Sequence, residues 1–266
     1  MAELFFMGTG KMATAIAGGI VKKNVFNGND LCGFDISSAA AAEFTKTTGV
    51  CTVSDPAAAI AASSAILIAV KPQMITAALE QFKEILKDKL ILSIAAGISI
   101  ARLAELTGSK RIIRIMPNTP ALIGCGAAAF TPSQDASAED IALAGKIFSA
   151  VGVAVQLKES DMDAVTALSG SGPAYAFEFV QALADGGVAE GLARDTALKL
   201  AAQTLLGAAM MVLETGEHPA ILKDKVTSPA GTTSRALEIL AERGFSGTVI
   251  QAVRAAAKRS KELGKN

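Results

Sequence analysis

The chain opens with a short apolar run, ELFFM, that breaks at glycines. KMATAIAGGIVKK then returns apolar residues at helical spacing, which predicts strand, turn and helix in that order. The alternation continues through DLCGFD, AAAAEFTKTTG, AILIAV, PQMITAALEQFKEIL, LILSIA, SIARLAEL and RIIRIM. AILIAV and LILSIA are apolar at successive positions, as strands are when helices cover both faces of a parallel sheet. Residues 1–157 therefore read as one α/β domain with a parallel, helix-covered sheet. After GVAVQL the strand signals stop. From Asp161 onward the periodicity is helical, broken only by Gly, Pro and Ser clusters, so residues 158–266 read as an all-α domain.

Composition narrows the core. Half of the 266 residues are hydrophobic but only 5% are aromatic, so Ala, Val, Ile and Leu must build the interior. Charge narrows the partners: 25 basic and 25 acidic side chains balance, and the one dense basic cluster, KRSKELGK, reads as a solvated helix end. No nucleic-acid or membrane partner is expected. Cys32, Cys51 and Cys125 are odd in number and lack metal-ligand spacing, so they read as reduced, buried structural thiols with no metal site. The opening residues carry no basic leader, and charges interrupt the longer apolar segments. The expectation is a soluble, cytoplasmic protein without a membrane span.

Candidate chemistry begins with GTGKMA, in which Gly8, Gly10 and Ala13 match the GxGxxG/A spacing. The first glycine makes the tight turn, the second admits a pyrophosphate to the backbone, and the third small residue lets the helix pack on its strand. Following a strand and opening a helix, the motif makes the first domain a Rossmann-type dinucleotide-binding domain. Asp35 ends the second strand where an acidic residue would bond the adenosine ribose. That favours NADH over NADPH, although Ser37 and Ser38 could still receive a 2′-phosphate. Lys71 in AVKPQ, the AAG of Ala95 to Gly97, and Asn118 in MPNTP follow strands at the ends where α/β proteins bind ligands. In TSPAGTTSRALEIL, Ser228, Thr232 and Thr233 surround a bend before an amphipathic helix, where hydroxyls and free amides form an anion site. His218, the sole histidine, precedes Pro219 and reads as a helix-start residue rather than a catalyst. In SGSGPAY, Pro173 suits a first helical turn, and Gly170 and Gly172 permit close backbone approach.

GTGKMA, AVKP, SIAAGIS, RIMPNTP, LSGSGPAYAFEF and HPAILKDKVTSPAGTT, in this order and spacing, resemble the pyrroline-5-carboxylate reductases from Met7 to the final helix. SGSGPAY followed by SPAGTT carries most of that likeness. The resemblance implies reduction of the cyclic imine 1-pyrroline-5-carboxylate to L-proline, with NADPH as the usual donor and NADH as the second. It implies a dinucleotide held by Gly8, Thr9, Gly10, Lys11, Met12, Ala69, Val70, Lys71, Pro72, Ala95, Ala96, Gly97 and Asn118; Asp35, placed at the cofactor by its strand-end position, departs from this, since it would repel a 2′-phosphate unless it turns away. It implies a substrate carboxylate on Gly231, Thr232 and Thr233 with Ser228 nearby, and Glu159 turned toward the substrate. It further implies that residues 158–266 form the substrate and dimerisation domain of a homodimer or higher homo-oligomer. A protonated imine already accepts hydride well, so positioning is the main demand, and Thr233 is the candidate partner of the ring nitrogen.

Two other readings stand beside this one. A β-hydroxyacid dehydrogenase would want a basic general acid near the start of the second domain, but no Lys, Arg or His occurs between Lys158 and Arg194. A dinucleotide-binding regulator could keep the fold without turnover.

Overall fold

The computed structural model describes residues 3–264. Its first part runs β1 (Leu4–Met7), α1 (Lys11–Lys22), β2 (Leu31–Phe34), α2 (Ser38–Thr48), β3 (Cys51–Thr52), α3 (Pro56–Ala62) and β4 (Ala65–Ile68). It continues through α4 (Ile75–Glu80), α5 (Lys83–Leu86), β5 (Leu90–Ser93), α6 (Ile100–Thr107), β6 (Ile112–Met116), β7 (Gly126–Pro132), α7 (Ala138–Ser149) and β8 (Gly152–Gln156). Helices α8 (Met162–Val165), α9 (Gly172–Ala189), α10 (Arg194–Thr215), α11 (Pro219–Lys225), α12 (Thr232–Glu242) and α13 (Phe245–Leu263) complete the chain.

Helix boundaries follow local chemistry. Ser37, Asp55, Ser99 and Ser137 each accept a first-turn amide with the side chain, and Pro56 begins α3 where its missing N–H costs nothing. Left-handed glycines, Gly49 and Gly108, end α2 and α6.

The sheet has the order β3-β2-β1-β4-β5-β6-β7-β8. The strands from β1 to β6 are parallel, with Leu4 opposite both Leu31 and Ala65. Successive residues of β1 feed two cores: Leu4 and Phe6 join Ile16, Phe44 and Phe148 on one face, and Phe5 and Met7 join Ile66, Leu79 and Leu103 on the other. Helices on both faces thus account for the unbroken apolar strands.

Three expectations are corrected here. The sheet is not wholly parallel, since β7 pairs antiparallel to β6 and β8 runs with β7. The cysteines are not all buried: Cys32 is, but Cys51 on the edge strand and Cys125 are exposed, and all three are free thiols. Burial, reinforced by the neighbouring Cys51, pushes the Cys32 thiol up to about 11. And α10 is, by length and composition, apolar enough to cross a membrane, although charges were expected to interrupt every such segment.

Among the described residues, 3–171 with 256–264 form one compact unit and 172–255 a second. Within the second, α9 and α10 pack through Ala184, Ala197 and Ala201 with Val180 and Val188. That core is small, and Leu198, Leu206, Met210 and Leu213 of α10 remain exposed. The SGSGPAY segment is not a loop: Thr166–Gly170 forms a π-helical turn that leads into α9, whose second residue is Pro173. A Cβ at Gly170 would lie 2.6 Å from the Met116 methyl, whereas one at Gly172 would meet open space.

Candidate active site

The glycine-rich turn after β1 is shaped by steric necessity. Gly8 has φ +96°, and a Cβ there would stand 2.9 Å from the Ala69 carbonyl and 3.1 Å from Val70, so GTG and AVKP press together through a bare backbone. Gly10 precedes α1 in extended conformation and no side chain caps the helix. With no side-chain cap, the first-turn amides of Lys11 and Met12 are open to an anion, and no protein atom lies within 4 Å of where a Gly10 Cβ would stand. Ala13, Ile16, Ala17 and Ile20 bury the opposite stripe of α1 and hold that end in place.

Asp35 faces inward. One carboxylate oxygen accepts from the Thr9 amide at 2.8 Å and from its hydroxyl at 3.3 Å, and the other accepts from the Ser37 amide at 2.9 Å. The carboxylate therefore braces the glycine-rich turn against the start of α2. Ser37 caps α2 through Ala40, and Ser38 is exposed at its first position.

Beside this brace lies an apolar slot of about 170 Å³, lined among others by Phe34, Ile36, Val70, Met74, Ala78 and Phe82. Motif reading missed all of these but Val70. Their only sequence signal is Ile36, an apolar residue directly after the acidic strand end, and it is 83% exposed. A flat aromatic ring fits such a slot, with Gly8 and Asp35 at its margin.

The remaining first-unit candidates follow strand ends. Lys71 is exposed and precedes a 3₁₀ turn that begins at Pro72. Ala95 is buried, with its amide on Ser93 Oγ at 3.3 Å, while Ala96 and Gly97 are exposed at the loop tip. Asn118 has another occupation: its carboxamide accepts from the Ala127 amide at 2.8 Å and donates to the Ser169 carbonyl at 3.0 Å. It ties MPNTP to β7 and to SGSGP. Glu159 is likewise engaged, accepting on Oε1 from the Ile100 amide at 2.8 Å and from Arg114 at 3.1 Å. Gly8, Thr9, Asp35 and Val70 thus gather in one place.

In the second unit, Gly231 precedes α12 without a side-chain cap, so Thr232 and Thr233 are the first two helical residues and lie inside the first turn. Ser234 Oγ donates to the Gly231 carbonyl at 2.8 Å, and the Gly231 amide donates to the Ser228 carbonyl at 3.1 Å. Between them Ala230 sits at φ +54°, a left-handed conformation that costs a non-glycine residue about 1–2 kcal/mol. Hydroxyls and free amides at one helix start can hold a carboxylate. His218 Nδ1 accepts from the Ala220 amide at 3.2 Å, so the imidazole caps α11. No group of three or more His, Cys, Asp or Glu among the described residues could hold a metal ion.

Comparison with known proteins matches both halves of the chain. Residues 159–263 match the family model for pyrroline-5-carboxylate reductase dimerisation, and residues 3–97 match the model for NADP oxidoreductase, coenzyme F420-dependent. A pyrroline-5-carboxylate reductase of Methanosarcina acetivorans is 44% identical over 99% of this chain and 98% of its own length. A solved pyrroline-5-carboxylate reductase from Coxiella burnetii superposes with a TM-score of 0.93 at 34% identity, covering 98% of each chain. The Plasmodium falciparum pyrroline carboxylate reductase, solved with NADP bound, gives 0.87 at 35% identity over 99% of this chain and 98% of its own. With identity of this order across almost every residue, the chain belongs to the pyrroline-5-carboxylate reductase family.

Proposed function

We propose that the protein reduces 1-pyrroline-5-carboxylate to L-proline, the last step of proline biosynthesis, with NADPH as donor and NADH as the second choice. The observation that carries this is the start of α1: Gly10 leaves first-turn amides bare beside an apolar slot, in a chain related throughout to reductases. The bare amides suit a pyrophosphate and the slot suits an adenine. The bound dinucleotide supplies the hydride. The glycine-rich turn, AVKP and the Ala95–Gly97 loop hold it, and the Asp35 carboxylate keeps the turn in shape by accepting from Thr9 and Ser37.

The uncapped start of α12 receives the substrate carboxylate on the amides and hydroxyls of Thr232 and Thr233, with Gly231 and Ser228 forming the bend. Thr233, or a water it holds, is the hydrogen-bond partner of the ring nitrogen. An iminium ring needs alignment and exclusion of water more than a strong acid, which agrees with a sole histidine committed to a helix cap.

The protein works as a homodimer or larger homo-oligomer built on residues 158–266. Exposed Leu206, Met210 and Leu213 on α10 support this, because an unaccompanied small unit does not leave so much apolar surface in water. Three free thiols suit a reducing cytoplasm. The test is absorbance of NADPH, and separately NADH, with purified protein and the imine. Oxidation that starts only on adding the imine supports the reading. Silence with both donors, in protein that binds them, makes the chain a dinucleotide-binding regulator instead.

A further inference from the structure

We infer that Glu159, together with Arg114, is a positioning residue for the Ala95–Gly97 loop and does not bind the substrate. This rests on the dinucleotide-site reading above. The loop hangs between two anchors. On one side Ser93 Oγ accepts from the Ala95 amide. On the other, the first amide of α6, Ile100, donates to Glu159 Oε1, which is also the oxygen that receives Arg114. Ala96 and Gly97 stand exposed between these anchors, and Gly97 has φ +77°.

The charge of Glu159 has two tasks here. It satisfies an amide at a helix start, where the helix dipole favours an anion. It also neutralises Arg114, whose side chain is only 14% exposed on β6. Ser99 caps the Arg102 amide, two residues further on, so the α6 start is held by a neutral hydroxyl and a carboxylate that comes from 59 residues away. Loss of the carboxylate frees the C-terminal anchor of the loop and leaves a poorly solvated guanidinium without its partner. The loop tip then samples more conformations, and a dinucleotide pays to order it.

Glu159→Gln keeps the acceptor and the shape but removes the charge. The readout is NADPH affinity by the fluorescence of the bound nicotinamide, measured without imine, beside KM and kcat for the imine. We expect affinity about tenfold weaker, the loss of one charge-assisted bond, with imine KM at saturating NADPH unchanged. Arg114→Lys, which keeps a cation but not the fork, should weaken NADPH in the same direction, and the double variant should be less than additive. If both variants bind NADPH as the wild type does, whatever their thermal midpoints, Glu159 is only a structural brace and the inference fails. If imine KM rises while NADPH affinity holds, Glu159 is a substrate contact and the inference also fails. A wild-type protein that binds no dinucleotide at all overturns the site reading itself.

Discussion

Asp35→Asn changes one carboxylate oxygen into an NH₂ group and leaves the volume unchanged. In the native arrangement each oxygen serves a different backbone amide, Thr9 at 2.8 Å and Ser37 at 2.9 Å. Asparagine has one acceptor oxygen, so one of those amides must face another donor. A hydrogen bond to a charged group contributes about 1.5–3 kcal/mol, and Asp35 is half-buried, so water recovers part of the loss and about 1.5 kcal/mol remains. At 1.4 kcal/mol per factor of ten, kcat/KM should fall about tenfold. Because the lost bond braces the glycine-rich turn, which every dinucleotide uses, NADPH and NADH should suffer alike. The assay is kcat/KM for each donor at saturating imine. A selective gain for NADPH over NADH would refute the argument, since it would mean that the carboxylate repels a 2′-phosphate directly rather than holding the turn.

Thr233→Ala should lower kcat about tenfold or more if its hydroxyl serves the ring nitrogen; a loss confined to imine KM would limit the residue to carboxylate binding, and no change in either would remove it from the site. For Asp140, burial alone would push the carboxyl up, but two Arg111 hydrogen bonds at 2.6 and 3.0 Å and the Ser137 amide outweigh it and hold the group below its ordinary range. A depressed folded value gives stability that is present above the unfolded value and lost as pH falls. Asp140→Asn should therefore cost about 1–3 kcal/mol at neutral pH, a gap that begins to narrow near about pH 4 and closes only as pH falls through the lowered folded value, read by urea midpoints at neutral pH and in strong acid; an equal gap in strong acid would contradict the assignment. Ala230→Gly should raise the thermal midpoint by relieving left-handed strain of about 1 kcal/mol, and a lower midpoint would show that the bend is not strained. A thiol reagent at neutral pH should label Cys51 and Cys125 in the folded protein and spare Cys32, and rapid labelling of all three would contradict its burial and raised pKa.

The residues themselves determined the local elements. An apolar run ending in Gly8 and followed by apolar residues at helical spacing can only be a strand feeding a helix, and β1 and α1 lie where that pattern put them. The unbroken runs of β4 and β5 announced a sheet covered on both faces. SGSGPAY and SPAGTT, read with their spacing, pointed to the family. Tertiary structure alone decided the rest. The run that forms β7, GAAAFTP, is rich in small residues with weak strand preference, and nothing local says that it turns back antiparallel beside β6. Edge strand β3 is two residues long, too short for any period to register. PQMITAALEQFKEIL reads as one helix but splits into a 3₁₀ turn, α4 and α5. Asn118 and Glu159 were visible as candidates, yet Asn118 reaches one partner 51 residues away besides the nearer Ala127, and the partners of Glu159 lie 45 and 59 residues away. Periodicity records which way a side chain faces relative to its own backbone. Which distant amide or guanidinium it meets depends on how the elements pack, and in this chain that packing gives Asp35, Asn118 and Glu159 their protein partners.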